Sequence, residues 1–303
     1  MKKLRLFFVS MVAALLVSCG TTSTVPLTGR QQSLMVSDGE VLSLSTQQYQ
    51  EFMKTAKLST NATNTAMVKR VGQNLANAVV NYLNANGMSN DVQNYQWTFN
   101  LVQDQQANAW CMPGGLICVY EGLLPITKDE GSLAIVLGHE IAHAVARHSA
   151  EQMSTQMKQQ YGLQVGAALA GVLGMGANTQ SVLQAIVAEG FNFKNLSYSR
   201  SHESEADYMG LIFAAMAGYD PQVAISFWER MAASNTTQTS EFLSDHPSDA
   251  TRIKNIQGWM PEALQYYKGG STQQTTTRSA QQSQSTNQKT STVRTLHISN
   301  KKK

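Results

Sequence analysis

Two histidines and a glutamate stand out by their spacing, in His139-Glu140-Ile141-Ala142-His143. In a helix, positions i and i+4 share a face about one turn apart, so His139 and His143 can offer imidazole nitrogens to a single cation. Zinc accepts neutral imidazole, and in catalytic sites it takes three protein ligands and leaves a position for water. Glu140, beside the first histidine, can reach that water without binding the metal. It would take a proton as the water attacks a carbonyl, and then hand it to the leaving amine. Ile135, Val136, Leu137, Ile141 and Ala142 make the segment apolar almost all round. Two imidazoles and a carboxylate buried there are costly without a partner. The competing reading is a surface helix with solvent-facing histidines, and because the pattern also occurs by chance it does not decide the matter alone.

A third ligand has to come from elsewhere. The segment Ser201-His202-Glu203-Ser204-Glu205-Ala206-Asp207 again places two acids, Glu203 and Asp207, at i and i+4. Glu203 is the candidate ligand. Asp207, one turn further on, can accept the free ring N–H of a metal-bound histidine and fix its tautomer. Glu205 points away from that face and reads as a solvated acid. His202 is a rival ligand by residue type but does not share a face with Asp207. His148 and His297 carry no motif and read as surface residues.

The elements that must position these residues are mostly helical. Ser37-Asp38-Gly39-Glu40 reads as a helix start, with Val41, Leu44, Tyr49, Phe52 and Met53 as inward positions up to about Lys57. A stronger periodicity covers about Thr65 to Asn84, through Met67, Val71, Leu75, Ala78, Val79 and Leu83. Alternation in Tyr95 to Leu101 predicts a half-buried strand. Asn108 to Met112, the turn Pro113-Gly114-Gly115 and Leu116 to Tyr120 predict a hairpin. With the turn at Gly114-Gly115, Cys111 and Cys118 face each other, and both a disulfide and two free half-buried thiols remain open. The catalytic helix is expected over about Asp129 to Arg147, the acidic one over about Ser199 to Met216, and a further one from Asp220-Pro221 to about Ala233. Gly162 to Ala188 contains no charged residue, but its apolar run is broken by Gln164 and by a glycine-rich turn near Gly174. That is short of the ~20 residues of a membrane span. A pair of buried or site-covering helices is the preferred reading, with membrane contact as the lesser one.

The chain ends differ from this body. Lys2, Lys3 and Arg5 precede the apolar stretch Leu6 to Val17, which ends in Leu16-Val17-Ser18-Cys19-Gly20. This arrangement resembles a bacterial lipobox, which implies cleavage before Cys19 and lipidation of its thiol; a plain secretory signal is the alternative. The expected organisation is a lipoprotein signal peptide (1–18), a lipid anchor and tether (19–37), a zinc metallopeptidase domain (38–268) and a disordered Gln/Ser/Thr-rich tail (269–303). Of the 23 Lys and Arg, three fall in 1–18 and six from Gly269 onward, whereas all 20 Asp and Glu fall between, so that part carries −6. A nucleic-acid binder needs a basic face, and nucleic acid is excluded as a partner.

The pairing of His139-Glu140-x-x-His143 with Glu203-x-x-x-Asp207 resembles the zinc endopeptidases that include HtpX, the CaaX prenyl proteases, the mitochondrial Oma-type proteases and the bacterial lipoproteins LoiP and BepA. Asn108-Ala109-Trp110 through Pro113-Gly114-Gly115 to Gly122-Leu123-Leu124, Tyr198-Ser199-Arg200, and His246-Pro247-Ser248 with Arg252-Ile253 fit the same family in the same order. Leu116 departs from it, standing where relatives often carry a polar residue. The resemblance covers about Asp38 to Gly258. It implies an α+β, mostly helical zincin-type domain with a small sheet next to the catalytic helix. It implies one Zn2+ per subunit, held by His139, His143 and Glu203, with Glu140 as base. Asp207 is then an orienting partner or a proton donor, and His246 either caps the resting metal or donates to the oxyanion; a mere loop-pinning role for His246 stays open. Gly114, Gly115, Leu116, Ile117 and Cys118 are the candidate substrate-binding edge, to which an extended peptide can add as a strand. The implied substrates are unfolded or misassembled envelope proteins, cleaved by a lipid-anchored enzyme, on the outer membrane facing the periplasm. Two rival readings are a catalytically silent lipoprotein that chaperones envelope proteins and a hydrolase of non-peptide amides or esters. The intact Glu140 disfavours the first, since a binding module needs no base there.

Overall fold

The computed structural model describes residues 21–169, 179–234 and 251–267. Helix α1 (Asp38–Thr55) starts where the sequence predicts. The Ser37 side chain accepts from the Glu40 amide while the Glu40 carboxylate accepts from the Ser37 amide, a reciprocal cap. Helix α2 (Ala62–Ala85) buries Val68, Val71, Leu75, Val79 and Leu83 along one stripe. Helix α3 (Glu130–Val145), capped by Asp129 Oδ1 on the Ser132 amide at 2.7 Å, is buried without interruption from Ser132 to Val145. It forms the axis of the molecule. Helices α4 (His148–Leu169) and α5 (Thr179–Ala188) follow, then α6 (Arg200–Met216), α7 (Val223–Ser234) and a last helix, α8, over 251–267. Among the described residues no helix is long and apolar enough to cross a membrane.

Strands β1 (Thr21–Thr24) and β2 (Gln31–Leu34) form an antiparallel hairpin. A three-stranded sheet has the order β3-β5-β4, with β3 (Thr98–Val102) parallel to β5 (Leu116–Tyr120) and β4 (Ala109–Met112) antiparallel to it. The β4–β5 turn needs left-handed backbone at Gly114 (φ 90°) and Gly115 (φ 79°), and a Cβ on Gly115 would meet the Trp97 ring at 2.4 Å. The sheet separates two apolar clusters. Phe99, Leu101, Cys111, Ile117 and Val119 face α2, α3, α6 and α7, whereas Trp110, Met112, Leu116, Cys118 and Tyr120 face α1, β2, α4 and α5.

Two expectations are corrected here. Register pairs Cys111 with Ile117 and Trp110 with Cys118, so the two thiols point to opposite faces of the sheet and both are free. Side chains alternate along a strand, so a one-residue offset in the assumed register puts them on different faces. The segment read as a tether is, from Thr21 on, part of the folded body: Val25 is buried in the core and the Met35 amide donates to Ser154 Oγ at 2.9 Å. Its polar composition suggested solvent, but Val25, Leu34 and Val36 are buried and Arg30 is ion-paired to Glu151 and Glu205.

Helices α3 and α6 cross at a pair of glycines. A Cβ on Gly138 would lie 2.6 Å from the Gly210 carbonyl oxygen, and one on Gly210 2.6 Å from the His139 amide nitrogen. Only glycine permits this backbone approach. It brings the acidic turn of α6 against the histidine-bearing turn of α3.

Candidate metal centre

The close crossing sets His139 and His143 of α3 opposite Glu203 of α6. The two Nε2 atoms are 3.1 Å apart; Glu203 Oε2 is 3.5 Å from that of His139, and Oε1 is 3.4 Å from that of His143. All three side chains are buried, at 1%, 1% and 5% exposure. They are the one group of His, Cys, Asp or Glu among the described residues whose ligand atoms converge closely enough to hold a metal ion. Ligand atoms bonded tetrahedrally to zinc at ~2.0–2.2 Å lie about 3.3–3.6 Å from one another. The two histidine–glutamate separations fall in that range and the histidine–histidine one, 3.1 Å, is slightly shorter; the N, N, O donor set suits zinc.

Each donor is held from behind. Asp207 Oδ1 lies 2.9 Å from His139 Nδ1. Arg252 of α8 donates from Nε to Asp207 Oδ2 at 2.6 Å and from Nη2 to Glu203 Oε2 at 2.8 Å, its guanidinium 4.1 Å from the Trp228 ring. His143 stacks on Tyr198, with centroids 4.2 Å apart, and its Nδ1 lies 2.9 Å from Nδ1 of His148. Burial lowers the basicity of His139, but its hydrogen bonds to Asp207 and Glu203 outweigh this and push its pKa up to about 10. Burial drives His143 well below the ordinary histidine range. Without a cation, this carboxylate-rich pocket therefore draws positive charge onto His139.

A pair of imidazoles one helical turn apart, closed by a carboxylate from a second helix, is the pattern by which comparison with known proteins can be read. The family model described as Peptidase family M48 matches residues 62–260. The chain belongs to peptidase family M48. The mitochondrial metalloendopeptidase OMA1 of Schizosaccharomyces pombe is 33% identical over 171 residues, covering 55% of this chain and 48% of that protein. Metalloprotease LoiP of Escherichia coli is 28% identical over 263 residues, 85% of this chain and 97% of that one. A putative beta-barrel assembly-enhancing protease of Vibrio cholerae is 31% identical over 170 residues, 54% of this chain and 34% of that one. The chain spans about half the length of the yeast OMA1 proteins it matches.

Within this M48 framework Glu140 is buried on α3, next to the first histidine. Burial, and then the negative charge of Glu140, push the Cys111 thiol of β4 well above its ordinary pKa, so Cys111 stays a neutral thiol. The candidate substrate edge is corrected. Leu116, Ile117 and Cys118 belong to β5, which is paired on both sides, and the carbonyls of Gly114 and Gly115 accept from Gln96 N (2.8 Å) and Thr98 N (3.0 Å). Among the described residues the edge strands of this sheet are β3 and β4, so within the hairpin it is the outgoing strand, not the returning one, that lies at an edge. The turn Phe193–Asn195 packs near it. A small cleft of about 30 Å³ opens beside His143, lined by Val41, Leu42, Tyr95, Pro113, Gly114 and Ala150 among others.

Two acid–base residues behave differently from their sequence reading, and a third, His202, stays off the ligand face as its spacing implied. His148 is fully buried rather than at the surface, and Glu205 is not solvated: its carboxylate takes His148 Nε2 at 2.9 Å and Arg30 Nε at 2.9 and 3.1 Å. Burial, only partly offset by Glu205, lowers the His148 pKa to about 4. His202 does not face the ligand cluster; it stacks on His148 at 4.4 Å and pairs with Glu151 Oε2 at 3.2 Å. Helix α3 ends at Val145 and Arg147 adopts a left-handed φ of 58°. His148 therefore swings back onto His143, a contact that helical spacing of five residues would not allow. Cys19, His246, His297 and the tail lie outside the described residues.

Proposed function

We propose that this chain is a zinc-dependent endopeptidase that cleaves extended or unfolded protein segments at the cell envelope. The observation that carries the reading is the buried convergence of His139 Nε2, His143 Nε2 and the Glu203 carboxylate beside Glu140. A zinc ion held there would supply Lewis acidity to a peptide carbonyl and to a water molecule. Glu140 takes the proton of the attacking water and delivers it to the departing amine. Asp207, accepting from His139 Nδ1, keeps the lone pair of that imidazole on Nε2. Arg252 pairs with both Asp207 and Glu203 and so holds the two carboxylates in place. The outer edge of β4 receives an extended substrate by strand addition, which uses the backbone and so asks little of the sequence.

The envelope assignment draws support from LoiP, matched over nearly its whole length, and from the lipobox-like Leu16-Val17-Ser18-Cys19. Lipidation of Cys19 would anchor the enzyme to the outer membrane, facing the periplasm. Its substrates would be misassembled envelope proteins, a quality-control role. The test is digestion of an unfolded protein such as casein by the full chain in detergent, beside Glu140→Gln and chelator-treated controls. Activity in the wild type alone is the expected result. Undiminished activity in both controls, or none in zinc-replete wild type, contradicts the proposal.

A further inference from the structure

A histidine that gives one ring nitrogen to a metal ion must place the hydrogen of its other nitrogen somewhere. For His139 the acceptor is Asp207. For His143 the neighbour is another imidazole: the Nδ1 atoms of His143 and His148 lie 2.9 Å apart, with both rings buried. We propose that His148 and Glu205, braced by Arg30 of the N-terminal hairpin, are positioning residues that fix the tautomer and orientation of His143 so that its Nε2 faces the metal site. This rests on the zinc reading above.

The hydrogen positions follow from what each atom can do. Two ring nitrogens at 2.9 Å share one hydrogen. If His143 keeps its lone pair on Nε2 for the ion, its hydrogen is on Nδ1 and is donated to His148 Nδ1. His148 then carries its own hydrogen on Nε2, 2.9 Å from Glu205 Oε2. An ionised carboxylate can only accept. Arg30 keeps Glu205 ionised, with Nε at 3.1 and 2.9 Å from its two oxygens and Nη2 at 2.8 Å from Oε2, and Thr28 Oγ1 donates to Oε1 at 2.6 Å. The opposite order would put the shared hydrogen on His148 Nδ1, leaving His143 to accept there and to carry its own hydrogen on Nε2, the atom that faces the metal site. The hydrogens therefore all point one way, from the ligand ring outward to the carboxylate. Stacking holds the planes: Tyr198 lies on His143 (20° between rings) and His202 on His148 (21°). Arg30 also donates from Nη1 and Nη2 to the two oxygens of Glu151 at 2.9 Å each, which fixes β2 to α4 as well as to α6. The hairpin is thus the outermost support of one metal ligand.

Two substitutions at one position separate this role from packing. In His148→Asn the amide oxygen can stand where Nδ1 stood and accept from His143; in His148→Gln the amide reaches toward Glu205 and leaves His143 without that acceptor. Zinc affinity of the purified full chain is measured by competition with a chromophoric chelator, and melting of the metal-free protein reports the fold. His148→Gln should weaken zinc binding by about 10–100-fold, His148→Asn by much less, with similar metal-free melting temperatures. Wild-type affinity in His148→Gln overturns the proposal, as do equal losses in both variants that track a fall in metal-free melting. Should wild type bind no zinc, the metal reading falls and this inference with it; should wild type and His148→Gln bind zinc equally, only this inference falls. A second measurement needs no variant. Nitrogen NMR of the zinc-loaded wild type should show the His143 hydrogen on Nδ1 and the His148 hydrogen on Nε2, and a His148 hydrogen on Nδ1 overturns the assignment.

Discussion

Glu140, Arg252 and the ligands occupy one buried volume, yet their removal has different expected costs. Glu140→Gln keeps the shape of the helix and the metal ligands but removes the base, so peptide cleavage should fall by about 10²–10⁴-fold while zinc content stays at the wild-type level. A parallel loss of zinc in that variant would place Glu140 among the ligands instead. Arg252→Met leaves Asp207 and Glu203 without their shared cation. Breaking a buried pair from one side costs about 3–5 kcal/mol, so denaturant unfolding of the metal-free chain should show a loss of that order, smaller once zinc occupies the site. An equal loss with and without zinc would mean that the guanidinium acts only through packing on Trp228. At this scale the sequence was informative where partners share a helix: His139 with His143, and Glu203 with Asp207, follow from i, i+4 spacing. It was silent where partners meet only through the tertiary fold. Arg30 reaches Glu205 across 175 positions, and His148 reaches His143 only because the backbone reverses at Arg147.

The two central helices owe their separation to Gly138 and Gly210. A methyl group on Gly210 would stand 2.6 Å from the His139 amide nitrogen, so Gly210→Ala must push α6 away from α3 and carry Glu203 with it. Overpacking of this kind costs about 1–3 kcal/mol, and zinc affinity should fall along with the thermal stability. A variant that melts earlier but binds zinc as tightly would show that the crossing serves stability alone. Element identity was largely legible: the reciprocal Ser37–Glu40 cap, the stripe Val71, Leu75, Val79 and Leu83, and the hairpin around Gly114-Gly115 each carry a local signal. Sheet order was not. β5 sits between its hairpin partner and a parallel strand that precedes both, and local alternation does not reveal which strand is central.

At the scale of the whole molecule, Arg30 adds ion pairs to the apolar and hydrogen-bonded attachments of the N-terminal hairpin. Glu151 faces Arg30, just before β2, and His202 of α6. Burial would raise its pKa, but these hydrogen bonds, His202 first and then Arg30, outweigh it and hold the value at about 2 against an ordinary 4.5. A depressed carboxyl stabilises the fold above its unfolded pKa, and that contribution is lost as pH falls through the folded value. The window is therefore from about 4.5 down to about 2. Melting temperature against pH should be less steep in Glu151→Gln than in wild type across it; superimposable slopes would show that the Arg30–Glu151–His202 cluster contributes nothing to acid stability.

Everything functional depends on whether His139, His143 and Glu203 hold a metal ion together. Zinc-edge X-ray absorption of the purified full chain, with metal content counted per chain, addresses this most directly. One zinc per chain is expected, with two imidazole nitrogens and carboxylate oxygen in its nearest shell, and loss of the metal in Glu203→Ala. A chain that purifies without stoichiometric zinc, or whose zinc shell is unchanged in Glu203→Ala, would contradict it.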